Sequence, residues 1–178
     1  MEINTLHETD WLCLMEMKDP DNGVNGYVYA HAKWCSGQGV AILPYRRTED
    51  GGIEFLLRQE VTPCWGMEPV LSSITGGMDK EGEDPAKAAG RELKEESGYD
   101  CGDINRWRYL GQCYSNKASD SIVYLFAVDL TGLEKTDDGS GDGTELEAKA
   151  WCEWREDPQE ALDPLVGTMC LRLAVKGE

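Results

Sequence analysis

The sequence predicts an α/β (α+β) fold, a mixed β-sheet with helices packed against it, extended at the amino terminus by a β-hairpin. Three observations carry that reading. Runs of strand formers separated by turn residues fill the first sixty positions. One stretch of strong helix formers, with a start signal and a stop signal, lies between Asp84 and Gly98. Strand texture then returns, and a second helix start, Asp163-Pro164, comes near the carboxyl end. The 178 residues suffice for one full core, or for one core with a small extension.

Taken in order, Trp11–Lys18 reads as a strand that stops at the turn Asp19-Pro20-Asp21-Asn22-Gly23. Tyr27–Trp34 is the return strand, so a hairpin is expected before residue 36. Gly39–Tyr45 is almost wholly apolar, as a buried strand would be. Glu49-Asp50-Gly51-Gly52 turns the chain into a further strand, Ile53–Gln59. Asp84 is an N-cap with proline at the first helical position, Ala86–Ser97 is the helix, and Gly98 is its C-cap glycine. Strands are expected at Trp107–Tyr114, Ser121–Leu130 and Ala148–Trp154, with an acidic, glycine-rich loop at Leu133–Thr144. The closing helix should turn Leu165, Met169 and Leu173 to the core. The expected division is residues 1–36, the β extension, and residues 37–178, the main domain.

Composition bounds the function. Lys plus Arg total 17 against 34 Asp plus Glu, a formal net charge of -17. Nucleic acid and anionic membranes need a basic footprint and are not expected partners. No apolar run approaches a membrane span, and a cytoplasmic location is expected. Seven cysteines without a C-x-x-C pair, and only His7 and His31, give little support to a thiolate zinc site; the cysteines are expected to be reduced thiols.

The chemistry lies between Gly77 and Tyr99. On a helix, Glu92 and Glu96 project from one face and Glu95 borders it. Three carboxylates on one stripe repel each other, and a divalent cation removes that cost; all-oxygen ligation suits Mg²⁺ or Mn²⁺. The plainer alternative is a solvated acidic face, partly balanced by Lys87 and Lys94. Arg91 beside the cluster and Gly76-Gly77 ahead of it, where backbone must approach something closely, speak for a site. By the repulsion argument, Glu96→Gln should leave the fold intact or more stable.

Gly77, Glu83, Arg91, Glu92, Glu95, Glu96 and Gly98 stand at all seven fixed positions of the Nudix box, and the chain resembles Nudix hydrolases. Leu93 fits the pattern's aliphatic position; Tyr99 departs from it, but tyrosine is common there in the ADP-ribose pyrophosphatase branch. Outside the box the likeness is looser and spans about residues 8–155. The resemblance implies an α/β/α sandwich and metal-dependent hydrolysis of a nucleoside diphosphate linked to another moiety, ADP-ribose or a related nucleotide-sugar first among substrates. Another nucleotide substrate, a dinucleotide or modified nucleoside triphosphate, and a non-catalytic nucleotide-sensing role are the alternatives. It implies Glu92 and Glu96 as metal ligands, Glu95 as a third ligand or water-holder, and the Gly76 carbonyl as a backbone ligand. Arg91 would orient the carboxylates, and Glu83 would be mainly structural. Arg58 would touch substrate phosphate or ribose, with an exposed strand arginine as the alternative. Tyr114, Trp34 and Trp65 are candidates to stack on a base, and Tyr114 stands where the branch has a proline. The general base would come from Glu145, with Glu147 and Asp142 also open. The branch's N-terminal strands pair two subunits, which implies a homodimer.

Overall fold

Strand β4 (Gln38–Arg47) is the axis of the molecule, and its alternation explains the layers on either side. Val40 and Ile42 point to one face; Ala41, Leu43 and Tyr45 point to the other, and all five are 1% exposed or less. A strand apolar on both faces must be covered on both. The computed structural model, which describes residues 1–78, 82–139 and 150–177, shows that cover as two helices on opposite faces.

Around β4 lies a seven-stranded sheet ordered β10-β5-β4-β9-β8, with β5 (Ile53–Glu60), β8 (Trp107–Tyr114), β9 (Ile122–Asp129) and β10 (Trp151–Arg155). Among the described strands of this sheet, only β4 and β9 run parallel. Two short strands, β6 (Val70–Ser72) and β7 (Ile74–Gly77), pair with β5 and β4 respectively. Neither is expected from sequence, because three or four residues around a Ser-Ser break form a strand only when a neighbour is supplied.

Pro44 would ordinarily argue against a central strand. It stands where β4 changes partners: residues 39–42 pair with β7 and residues 45–47 with β5, so Leu43 and Pro44 meet neither strand on that side.

Helix α1 (Pro85–Ser97) begins as the sequence predicts, with Asp84 accepting from the Ala86 N–H at 2.9 Å, and ends at Gly98 with φ 75°. It packs Ala88, Ala89 and Leu93 on Val40, Ile42, Leu56, Ile74, Phe126 and Val128. Helix α2 (Pro164–Val175) covers the other face, on Ala41, Leu43, Tyr45, Leu125 and Ala127. Val166, Met169 and Leu173 of α2 are buried in this core, and Leu165, half-buried, packs against the same cluster, so the expected face of Leu165, Met169 and Leu173 is the one turned to the sheet, with Val166 added to it. Asp163 accepts from Leu165 N at 2.8 Å and from Ser73 N at 3.0 Å, which fixes the first turn of α2 to the break between β6 and β7.

The N-terminal hairpin is a three-stranded antiparallel sheet: β1 (Glu2–Glu8), β2 (Leu12–Asp19) and β3 (Val24–Ala32). The extra strand, β1, is exposed along nearly its whole length, so no buried stripe marks it in the sequence. Among the described residues, this sheet meets the main body chiefly along residues 117–120, where Tyr27 Oη donates to the Lys117 carbonyl. Ala30 N–H donates to Ala118 O at 2.8 Å, and His31 Nδ1 lies 2.9 Å from Asp120 Oδ2. Among the described residues, no helix is long and apolar enough to cross a membrane.

Candidate active site

Three elements build the site: the end of β7, the outer turns of α1, and β5 beneath them. Helical spacing places Glu92 and Glu96 one turn apart, facing the sheet. Both are buried, at 7% and 6% exposed, whereas the Glu95 side chain is 45% exposed. A solvated acidic face would expose all three, so that alternative does not describe this stripe. Lys94, which could have screened it, pairs instead with Asp100 at 2.7 Å.

Each buried carboxylate meets an arginine. Arg91 Nη1 donates to Glu92 Oε1 at 2.7 Å and to Glu95 Oε2 at 3.1 Å, and its Nη2 donates to the Gly77 carbonyl at 3.0 Å. Its Nε lies 3.8 Å from Glu83 Oε1. One guanidinium therefore joins three box carboxylates and the end of β7. Glu96 is ion-paired to Arg58. The two-residue period of β5 explains this pairing: Leu56 points into the α1 core, so Arg58 points the same way, under the last turn of the helix.

Arg58 is 4% exposed, so it is not the exposed strand arginine of the alternative reading. Its Nη1 also donates to the Glu96 carbonyl at 3.2 Å, and its Nε donates to Glu60 Oε2 at 3.2 Å.

Glycine at 76 is a packing necessity. A Cβ there would stand 1.8 Å from Glu92 Cδ and 2.0 Å from its Oε1, so the carboxylate lies directly on the backbone of β7. At Gly77 a Cβ would fall 2.1 Å from the Trp34 ring, which brings that tryptophan beside the carbonyl held by Arg91. Trp34 packs edge-on against Trp11, with ring centroids 6.3 Å apart.

The donor set suits a hard divalent cation. Glu92, Glu95, Glu96 and the Gly76 carbonyl offer only oxygen, and the Glu83 Oε2 is buried with no hydrogen-bond partner among the described residues. Those residues show no ready cage of three or more His, Cys, Asp or Glu side chains; the buried glutamates are turned to their arginines.

Other expected residues lie elsewhere. Tyr114 is 66% exposed at the end of β8 and lines a 590 Å³ cavity with Met17, Tyr27, Tyr29 and Lys117. None of the stripe carboxylates lines that cavity. Trp65 is half-exposed in the loop after β5. Glu145, Glu147 and Asp142 lie outside the described residues. The chain that leads to them is anchored at the site: Thr136 N–H donates to Gly98 O at 2.8 Å, and a Cβ on Gly139 would stand 2.8 Å from Gly98 N.

Cys152 escapes functional reading in the sequence. Its Sγ lies 3.5 Å from the Glu96 carbonyl, and burial pushes the thiol up to about 11. None of the seven cysteines, all of them among the described residues, forms a disulfide.

Comparison with known proteins adds a family. The family model described as NUDIX domain matches residues 36–165. No curated protein matches the chain in sequence. Among solved structures, the crystal structure of an ADP compounds hydrolase is similar in fold, with a TM-score of 0.57 at 15% identity. The match covers 99% of this chain and 94% of that one. At that identity the likeness concerns the fold.

Proposed function

The chain belongs to the NUDIX domain family, and from that premise we propose that it hydrolyses the pyrophosphate bond of a nucleoside diphosphate linked to another moiety, in a reaction dependent on Mg²⁺ or Mn²⁺. ADP-ribose or a related nucleotide-sugar is the proposed substrate. The observation that carries this reading is the pair of buried glutamates on one face of α1, Glu92 lying on the bare backbone of Gly76.

Glu92 and Glu96, with Glu95 and the Gly76 carbonyl, would hold the cation. Bound there, it would neutralise charge on the pyrophosphate and polarise the attacking water. Arg91 holds Glu92 and Glu95 in register with the end of β7. Glu145 is the proposed general base that takes the proton from water, with Glu147 and Asp142 as the other choices. Two copies are proposed to pair through the N-terminal sheet.

The test is a nucleotide panel assayed with and without Mg²⁺ or Mn²⁺. ADP-ribose should yield AMP and ribose 5-phosphate only when the cation is present. Glu145→Gln should lower kcat by roughly 10²-fold or more and remove the acidic limb of the pH–rate profile. Nucleotide binding without turnover on any member of the panel would replace the enzyme reading with a sensing module.

A further inference from the structure

Building on that hydrolase reading of the same carboxylates, we propose that Arg58 is a positioning residue: the internal counter-charge that holds Glu96 ready for a divalent cation, rather than a contact to substrate.

Four observations converge on it. Arg58 is 4% exposed and lies beneath the last turn of α1, its guanidinium turned to Glu96 and not to solvent. It grips Glu96 twice, by the carboxylate and by the backbone carbonyl at 3.2 Å, so both the side chain and the helix end that carries it are fixed. The carbonyls of a helix's last turn are its negative end, and a guanidinium there offsets both that end and the carboxylate. The fourth is Glu60, whose Oε2 accepts from Arg58 Nε at 3.2 Å. The Glu60 side chain is 27% exposed, and its Oε1 lies 3.5 Å from both Ser72 Oγ and Thr62 Oγ1, so Arg58 is itself held on β5.

The trio Glu60, Arg58 and Glu96 carries one surplus negative charge. That charge adds to those of Glu92 and Glu95 beside it and suits a site whose occupant is a cation. Without Arg58 the buried Glu96 carboxylate would lose a counter-charge it has inside the fold. Arg58 therefore keeps Glu96 in the interior while the site waits.

The measurement is thermal unfolding of the full chain with and without Mn²⁺, alongside steady-state kinetics, for wild type, Arg58→Met, Arg58→Lys and Arg58→Met/Glu96→Gln. Arg58→Met should unfold at a lower temperature without cation and show a larger Mn²⁺-induced rise than wild type. Its kcat should fall about 10–100-fold, as when a ligand-orienting partner is lost, with KM changed less than twofold. Arg58→Lys should recover part of kcat. The double variant, with neither charge buried, should regain cation-free stability and lose the Mn²⁺ response; if Arg58→Met does not fold, this pair and Arg58→Lys decide the matter. A tenfold rise in KM with kcat kept would make Arg58 a substrate contact and overturn the proposal. So would a Mn²⁺-induced rise in Arg58→Met no larger than in wild type. A panel without turnover would sink only the hydrolase reading, because the Mn²⁺ shift is read without substrate.

Discussion

Charge placement decides more at this site than charge count. The stripe Glu92, Glu95 and Glu96 suggests mutual repulsion, and neutralising Glu96 ought to relieve it. The structure reverses that sign, because Glu96 is already compensated by Arg58 inside the fold. Glu96→Gln should therefore cost about 1–3 kcal/mol of stability while abolishing turnover, because it removes one charge of a buried ion pair and leaves Arg58 less well compensated. Urea unfolding and a hydrolysis assay at saturating Mg²⁺ check both halves; a variant as stable and as active as wild type would refute the assignment. Cys152 gives a second residue-scale outcome. Its thiol is held near 11 by burial against an ordinary value of 9.0, so below pH 9 both folded and unfolded chains keep the proton. Between about pH 9 and 11 only the unfolded chain releases it, and stability should fall by about 3 kcal/mol. Replacing the thiol in Cys152→Ala should flatten that part of the curve in unfolding experiments at pH 8.5 and 10.5.

At the scale of elements, helix ends carry unusual weight. Gly98 closes α1 with φ 75°, and a Cβ there would stand 2.0 Å from the Asp137 carbonyl. A left-handed turn and a docked segment meet at one residue. Gly98→Ala should cost more than the roughly 1–2 kcal/mol of the backbone conformation alone, because residues 136–139 must move as well. A loss in urea unfolding no larger than the roughly 1–2 kcal/mol of the backbone conformation would show that the segment is not docked in solution. The opposite edge of the sheet is protected by α2: Arg172 Nη1 donates to Leu110 O at 3.1 Å and to Gln112 O at 3.2 Å, and Lys176 Nζ donates to Tyr109 O at 2.6 Å. These bonds flank the register shift in β8 between Tyr109 and Gly111. An edge strand whose carbonyls are engaged and whose register is broken is a poor template for another chain.

For the whole molecule, the three-stranded N-terminal sheet carries a concentration of exposed apolar side chains. Ile3, Leu6, Trp11, Leu12, Leu14, Tyr27 and Val28 are all exposed on it. A sheet of three short strands, joined to the body chiefly through Tyr27, Ala30 and His31, has a large share of its surface left open. Pairing with a second copy would cover it. Light scattering should return twice the 19.8 kDa chain mass at micromolar concentration, and a variant lacking residues 1–35 should return the mass of one chain. A full-length mass of 19.8 kDa across that range would end the dimer proposal.

The sequence by itself determined the long elements and the acidic site. Asp84, Pro85 and Gly98 bound α1, the apolar run bounds β4, and helical spacing gathers Glu92, Glu95 and Glu96, because these signals act between residues near in the chain. Tertiary structure alone decided what those carboxylates face. Arg58 lies 38 positions from Glu96, and only the pairing of β5 within the sheet and the seating of α1 upon it bring the two together. The same holds for β6 and β7, too short to signal themselves. Local periodicity states which side chains share a face; the partner on the other side of that face is set by packing over long separations in sequence.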